Sequence, residues 1–428
     1  MLEGSTLIQK GWFKFSLILL LSSIHYSWGM EADYTLKDCL GRIQENSVQV
    51  AQAVVNEARS KAALEEADKP RLPQLVAQGD LEQSSNIYAQ ALDTNKAVIR
   101  IEQGTLPFGS AWRLGDQRKL ELESSHFAAI ESTQDVEQLV KDLYFSILQE
   151  QDLIAHYSQI ESQFQKLLAN VVPRFQIGRA PSFDLVKVKL AIYELKRTRE
   201  ITEAQLIGER SQLAKILGFK SPNFDLERLE LIPSLPPGAF SQKSMDANPT
   251  LLVLQKDVEA SKAAVSVATS ARLPSLGLSA EYGLAGISPD TMVEAWTAMG
   301  SLRLTIFDWG LISSQVDQAK ASVILAEKKQ EAELQRISSE WAQTWALADA
   351  HFTDQKRLKA LLPELDKTAR VSIDRYRKAA LGILEVTDAV SIWLQALTTE
   401  RSDYYSYLAD LAHLERLTGN TFTVMYEK

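Results

Sequence analysis

A single cysteine, Cys39, excludes a framework of intramolecular disulfides in this 428-residue chain. Histidine is scarce too. His126, His156, His351 and His413 form no H-x-x-x-H pair, and Cys39 has no histidine nearby, so the sequence supports neither a structural nor a catalytic metal. There is no G-x-S-x-G elbow and no phosphate-cradling glycine loop. No cofactor and no enzymatic apparatus are expected. A basic stripe is also missing: 46 Lys and Arg stand against 55 Asp and Glu, and a net charge of −9 argues against a nucleic-acid partner.

Only one long apolar run is present. Phe15 to Ile24 (FSLILLLSSI) is too short to span a bilayer, which needs ~20 residues. Lys10 and Lys14 precede it, and Ser27 and Gly29 flank a candidate cleavage site before Met30. The arrangement reads as a secretory signal over residues 1–29, with His25 inside it. Tyr34 to Asp38 (YTLKD) does not resemble a lipoprotein site. An exported chain with no further apolar run is either soluble in the periplasm or inserted as a β-barrel.

What is present is a duplication. Ser60-Lys61-Ala62-Ala63 returns as Ser261-Lys262-Ala263-Ala264, and Arg71-Leu72-Pro73 as Arg272-Leu273-Pro274. Arg174-Phe175 returns as Arg375-Tyr376 and Leu217-Gly218 as Thr418-Gly419, each pair at one interval (272 minus 71, or 201 residues). Chance matches would scatter, so two copies of one unit are inferred. The chain divides into a first repeat, 30–220, a proline-bearing linker, 221–246, and a second repeat, 247–428.

Each half reads helix, strand, strand, long helix, turn, helix: a mixed, mostly α chain. Leu276, Leu278, Ala280, Tyr282 and Leu284 alternate with polar or small residues, and so do Trp296, Ala298, Gly300, Leu302, Leu304 and Ile306. Each run approaches the ~9–11 residues of a tilted membrane strand. The alternation fits a sandwich strand equally well, but no further strands are available for a second sheet. Ala97 to Thr105 alternates poorly. Ser84–Lys96 and Ala285–Glu294 would be outward loops, placing Tyr282 and Trp296 at the membrane interface.

The helices are long. Val136, Val140, Leu143, Ile147, Ile154, Tyr157, Phe164, Leu168 and Val171 step by fours and threes, with Glu150 and Glu161 in the vacant places, as in a coiled coil. A helix from about Trp112 to Phe175 would be ~95 Å long. Its counterpart from about Leu311 to Lys378 contains Pro363, which should kink it. Both end in compact turns. Gly178 suits a left-handed cap, and Ala379 holds its place in the second repeat.

Several of these elements resemble the TolC-like outer-membrane efflux family. They are the A-x-x-x-x-L-P entries (Ala67 to Pro73, Ala268 to Pro274), the exit Phe307-Asp308-Trp309-Gly310, the tip R-F-x-x-G-x-A from Arg174, and the closing L-x-x-x-x-G of each half. The resemblance implies a homotrimer whose strands form a 12-stranded β-barrel in outer-membrane lipid, continued by a periplasmic α-helical barrel. Independently, four strands cannot close a barrel and eight fill their own interior, so twelve is the smallest multiple with a lumen.

The implied function is an export duct in a tripartite efflux or type I secretion system, working with a periplasmic adaptor and an inner-membrane transporter. The resemblance further implies a gate of Tyr376, Glu385, Asp388 and Asp184, and adaptor-docking tips around Arg174, Phe175, Gly178, Arg375 and Ala379. Leu381 stands where family members carry a gating arginine. The alternative is a periplasmic coiled-coil scaffold or adaptor without a barrel. It lacks the lipoyl-like domain of many short strands that adaptors usually carry.

Overall fold

The computed structural model describes residues 34–81, 95–228 and 245–419. The signal segment, most of the first outward loop and much of the linker lie outside them. The first repeat supplies α1 (Leu36–Asn46), α2 (Val48–Asp68), β1 (Gln74–Asp80), β2 (Asn95–Pro107), α3 (Ser110–Gln176) and α4 (Ser182–Leu217). The second supplies α5 (Pro249–Ser270), β3 (Ser275–Gly286), β4 (Val293–Arg303), α6 (Leu311–Arg377) and α7 (Ile383–Thr418).

The interval of 201 residues reappears in the coordinates. α3 and α6 are both 67 residues long, α4 and α7 both 36, and each second member starts 201 residues after the first. At 1.5 Å per residue the long pair spans ~100 Å. Both α4 and α7 stop at a left-handed glycine, Gly218 and Gly419. α1 has no counterpart among the described residues of the second repeat. Ser47 ends it and caps α2, its hydroxyl accepting from the Val50 N–H. α6 runs unbroken through Pro363.

The strands form one antiparallel sheet in the order β1-β2-β3-β4, so β2 and β3 join the two repeats and β1 and β4 are open edges. Register puts Leu75, Ile101, Ile99, Tyr282, Leu278 and Trp296 on one face. Lys96, Arg100, Glu102, Glu281 and Thr297 share the other. β2 therefore does alternate. A bulge between Gln103 and Leu106 shifts its register and obscures the pattern in the sequence. Gly283 lets the repeats approach, because a Cβ there would strike the Ala97 carbonyl. β3 and β4 reach further into the loop than expected, since Ala285 pairs with Val293. β4 ends at Arg303, so Leu304 and Ile306 are not strand residues.

Two hydrophobic cores lie along the helical rod. Near mid-length, α1 and the linker wrap the long helices: Cys39, Tyr144, Leu213, Phe224, Leu226, Trp341 and Tyr407 belong to one cluster. The Tyr144 hydroxyl donates to the Glu227 carbonyl at 2.5 Å, and Tyr34 pairs with Leu226 as a single β-bridge. The second cluster, nearer the turns, joins Phe164, Leu167 and Val171 of α3 to Val188 of α4, Ile373 and Tyr376 of α6, and Val386 and Trp393 of α7. Leu167, not Leu168, is its fully buried residue. A straight helix drifts from a strict seven-residue repeat, and over this length the drift moves the seam by one position.

The acids in the seam are buried, as their positions require. Arg199 of α4 donates to Glu161 at 2.7 Å. Among the described residues no cation pairs with Glu150; it lies beside Glu209, which accepts from Ser146 at 2.7 Å. Burial first, then the neighbouring Glu209 carboxylate, push the Glu150 carboxyl up to about 7. The native state thus keeps a proton that an unfolded chain loses above about 4.5. This group favours the fold most below that value, and its contribution falls as pH rises and levels off above about 7. Glu150→Gln should flatten this dependence and stabilise the protein at pH 8 by ~1–2 kcal/mol, discounted for partial exposure. Unfolding midpoints in detergent at pH 5.5 and 8 check it; an unchanged pH slope in the variant contradicts it.

Candidate functional site at the helical tips

Both long hairpins turn by the same hydrogen-bond pattern. After α3, Arg179 and Ala180 donate their N–H groups to the Arg174 carbonyl at 2.7 and 3.1 Å. After α6, Ala380 donates to the Arg375 carbonyl at 2.9 Å. The chain must pass through a left-handed residue to close such a turn. Gly178 does so at φ +71°, and Ala379 does so at φ +58° despite its Cβ. The second tip therefore carries a backbone cost of ~1–2 kcal/mol that the first avoids.

The two tips are tied to each other within the chain. The buried Tyr376 hydroxyl donates to Asp184 Oδ2 at 2.7 Å. Arg174 Nη1 donates to the Tyr376 carbonyl at 2.8 Å, and its guanidinium lies 5.4 Å from the Tyr376 ring centre. Burial, then the hydrogen bond and charge of Asp184, push the Tyr376 hydroxyl well above its ordinary value, so it stays a donor at physiological pH. Asp184 sits in the first turn of α4, where the helix dipole favours a carboxylate.

Glu385 and Asp388 are exposed, three residues apart near the start of α7. Among the described residues, no hydrogen bond or ion pair joins them to the Tyr376–Asp184 contact. Leu381 packs against the lower core, an apolar substitute for the cation the resemblance leads one to expect. Phe175, Gly178, Arg375 and Ala379 are exposed at the ends of the hairpins, while Arg174 is half-buried by its contact with Tyr376.

At the opposite end, Tyr282 and Trp296 are direct cross-strand partners near the β3–β4 turn, both exposed. A second aromatic group escaped the sequence reading. Phe108 and Trp112 in the first repeat, with Phe307 and Trp309 in the second, are exposed where strands give way to long helices. Trp309 is 91% exposed and, at φ +56°, left-handed. Asp308 fixes this exit by accepting from the Gly310 and Ile312 N–H groups at 3.0 and 2.8 Å. The signal was available: Phe108-Gly109 and Trp309-Gly310 are 201 residues apart.

The fold is thus a set of paired long helices joined to a small two-faced antiparallel sheet. Residues 240–420 match the family model described as "Outer membrane efflux protein". The chain is 21% identical over 389 residues to "Outer membrane protein TolC" of Escherichia coli, covering 85% of this chain and 76% of that protein. It is 23% identical over 167 residues to "Outer membrane protein OprJ" of Pseudomonas aeruginosa, covering 38% of this chain and 35% of that protein. Among solved structures, the Campylobacter jejuni CmeC outer membrane channel superposes with a TM-score of 0.82 at 16% identity, over 90% of this chain and 85% of that one. The resemblance to the TolC-like outer-membrane efflux family is thereby borne out, and that family is one of channels, not of enzymes.

Tyr376→Phe removes one charge-assisted hydrogen bond while keeping the ring in its core, at a cost of ~1 kcal/mol after discounting for exposure of Asp184. Amide exchange over residues 374–386 and 182–186 should quicken about fivefold. Exchange that matches the parent would show that the contact does not hold the tips together.

Proposed function

We propose that three copies of this chain form an export duct through the outer membrane of a Gram-negative bacterium, with a large periplasmic part. On this reading the repeats 30–220 and 247–428 each give one hairpin to a 12-stranded barrel and one helical hairpin to a periplasmic helical barrel, after loss of a signal over 1–29. A periplasmic adaptor meets the tips, an inner-membrane transporter supplies the energy, and outer-membrane lipid surrounds the strands.

The observation that carries the reading is the sheet. It has two open edges, an apolar face with Leu75 at 72% and Trp296 at 77% exposure, and a polar face lining a hollow of about 490 Å³. Lipid outside and water inside suit those faces, and only closure satisfies the edges. The helical part supports it independently. Phe183, Val186, Leu190 and Tyr193 make an exposed stripe on α4 at steps of three and four, a seam left uncovered by the described residues. Tyr282 and Trp296 serve as the outer aromatic girdle, and Phe108, Trp112, Phe307 and Trp309 as the inner one. A periplasmic scaffold has no use for such a sheet.

At the entrance, the Tyr376–Asp184 contact with Arg174 holds the two tips of one chain together. Glu385 and Asp388, repeated by three copies, ring the opening with carboxylates that attract cations. With Leu381 in place of a guanidinium, closure is weaker than in arginine-bearing relatives. The docking tips are Arg174, Phe175, Gly178, Arg375 and Ala379.

Mass measurement of the detergent-purified protein should return a trimer that fractionates with outer membranes and resists carbonate. A monomer or dimer extracted by carbonate would favour the scaffold instead.

A further inference from the structure

The charged groups on the polar face of the sheet are arranged against one another. Arg100 Nε and Nη2 donate to the same oxygen of Glu281, Oε2, at 3.0 and 2.7 Å, across the junction between repeats. Its Nη1 lies 3.8 Å from Glu102, and Lys96 Nζ lies 3.8 Å from Glu281. Two cations and two carboxylates thus share one patch beside the hollow. Farther along the same face, Asp80 stands opposite Lys96 at the outer end, and Arg303 opposite Ser275 at the end nearest the helices. The described cations on this face (Lys96, Arg100 and Arg303) thus balance its described acids (Asp80, Glu102 and Glu281), although Arg303 faces no acid directly. The exposed acids Glu385 and Asp388 at the other end of the molecule have no such arrangement.

We propose that the barrel wall is charge-compensated, and that Arg100 is the specificity-determining residue that keeps it so. The inference rests on reading the sheet as one third of a barrel. Arg100 is central because it alone faces both Glu281 and Glu102. Without it, Glu102 loses its cation and Lys96 is left to face both Glu281 and Asp80, so three copies would turn that height of the lumen into an acidic ring. Rings of one sign select ions; compensated walls pass either sign and discriminate little by charge. The barrel end then admits whatever the tips release, and selection by charge stays at the entrance.

The test is reversal potential in planar bilayers across a potassium chloride gradient near 0.1 M, where charges act over ~10 Å. Arg100→Gln should raise cation-over-anion permeability severalfold, and Glu281→Gln should lower it. Arg100→Lys should keep the parent value, and the double exchange Arg100→Glu with Glu281→Arg should return towards it. All shifts should shrink near 1 M salt, where screening cuts the range to ~3 Å. Trimer yield of each variant is checked first, and the double exchange guards against a lesion in assembly. Assembled single variants with the parent reversal potential, or both shifted the same way, would overturn the proposal. Absence of any conductance from the assembled parent would instead overturn the duct reading on which it stands.

Discussion

The outer edges of β1 and β4 find no strand partner among the described residues, and this constraint underlies the barrel reading. In water an open edge is tolerable if it is short or guarded. On a sheet with one apolar face of Leu75, Ile99, Ile101, Tyr282 and Trp296, set in lipid as proposed, those edges would face hydrocarbon, where every unmet backbone group costs several kcal/mol. In the proposed trimer, closure among copies would remove the cost, and twelve strands would leave a lumen. α3 starts at Ser110 just after β2 ends at Pro107, and α6 starts at Leu311 after β4 ends at Arg303, so the proposed ring of strands would bring the long helices round with it.

Duplication makes the two halves of the chain regular. Equal lengths of α3 and α6, and of α4 and α7, put both hairpin tips at the same depth, where Tyr376 can meet Asp184. The repeats differ at their tips. Arg174 reaches across from the first tip, Ala379 accepts a left-handed backbone that Gly178 adopts without strain, and Leu381 packs where the resemblance implies a cation. The linker is more than a connection. Its Phe224 and Leu226 are buried, Arg228 pairs with Asp152 at 2.7 Å, and Tyr405 donates to the same carboxylate.

Much of this was legible in the sequence, for physical reasons specific to each element. The interval of 201 residues survives because helix lengths and turns tolerate no slippage. β3 and β4 announce themselves through period-two alternation, and the tip turns through Gly178 and its counterpart. What escaped was whatever depends on context. The bulge after Gln103, together with Val98 on the polar face, blurred the alternation of β2, and Arg100 and Glu281 are 181 residues apart, brought together only by strand pairing. Leu304 and Ile306 kept the alternating pattern although pairing stops at Arg303, because hydrophobic period does not report hydrogen bonds. The heptad count missed Leu167, since drift accumulates over a helix of 67 residues. Glu150 and Glu161 looked alike in the seam, yet only one has an arginine beside it.

The central claim is that β1 of one copy pairs with β4 of the next and that three such junctions close the ring. Paired cysteines scanned along Gln74–Asp80 and Val293–Arg303 test it directly in the outer membrane. The native Cys39 will not interfere, being fully buried with its thiol pushed up to about 12 by desolvation. The account predicts inter-chain disulfides at residues in register, giving a ladder of monomer, dimer and trimer that stops at three. Cross-links absent from every pairing, or a ladder that continues beyond trimer, would contradict it.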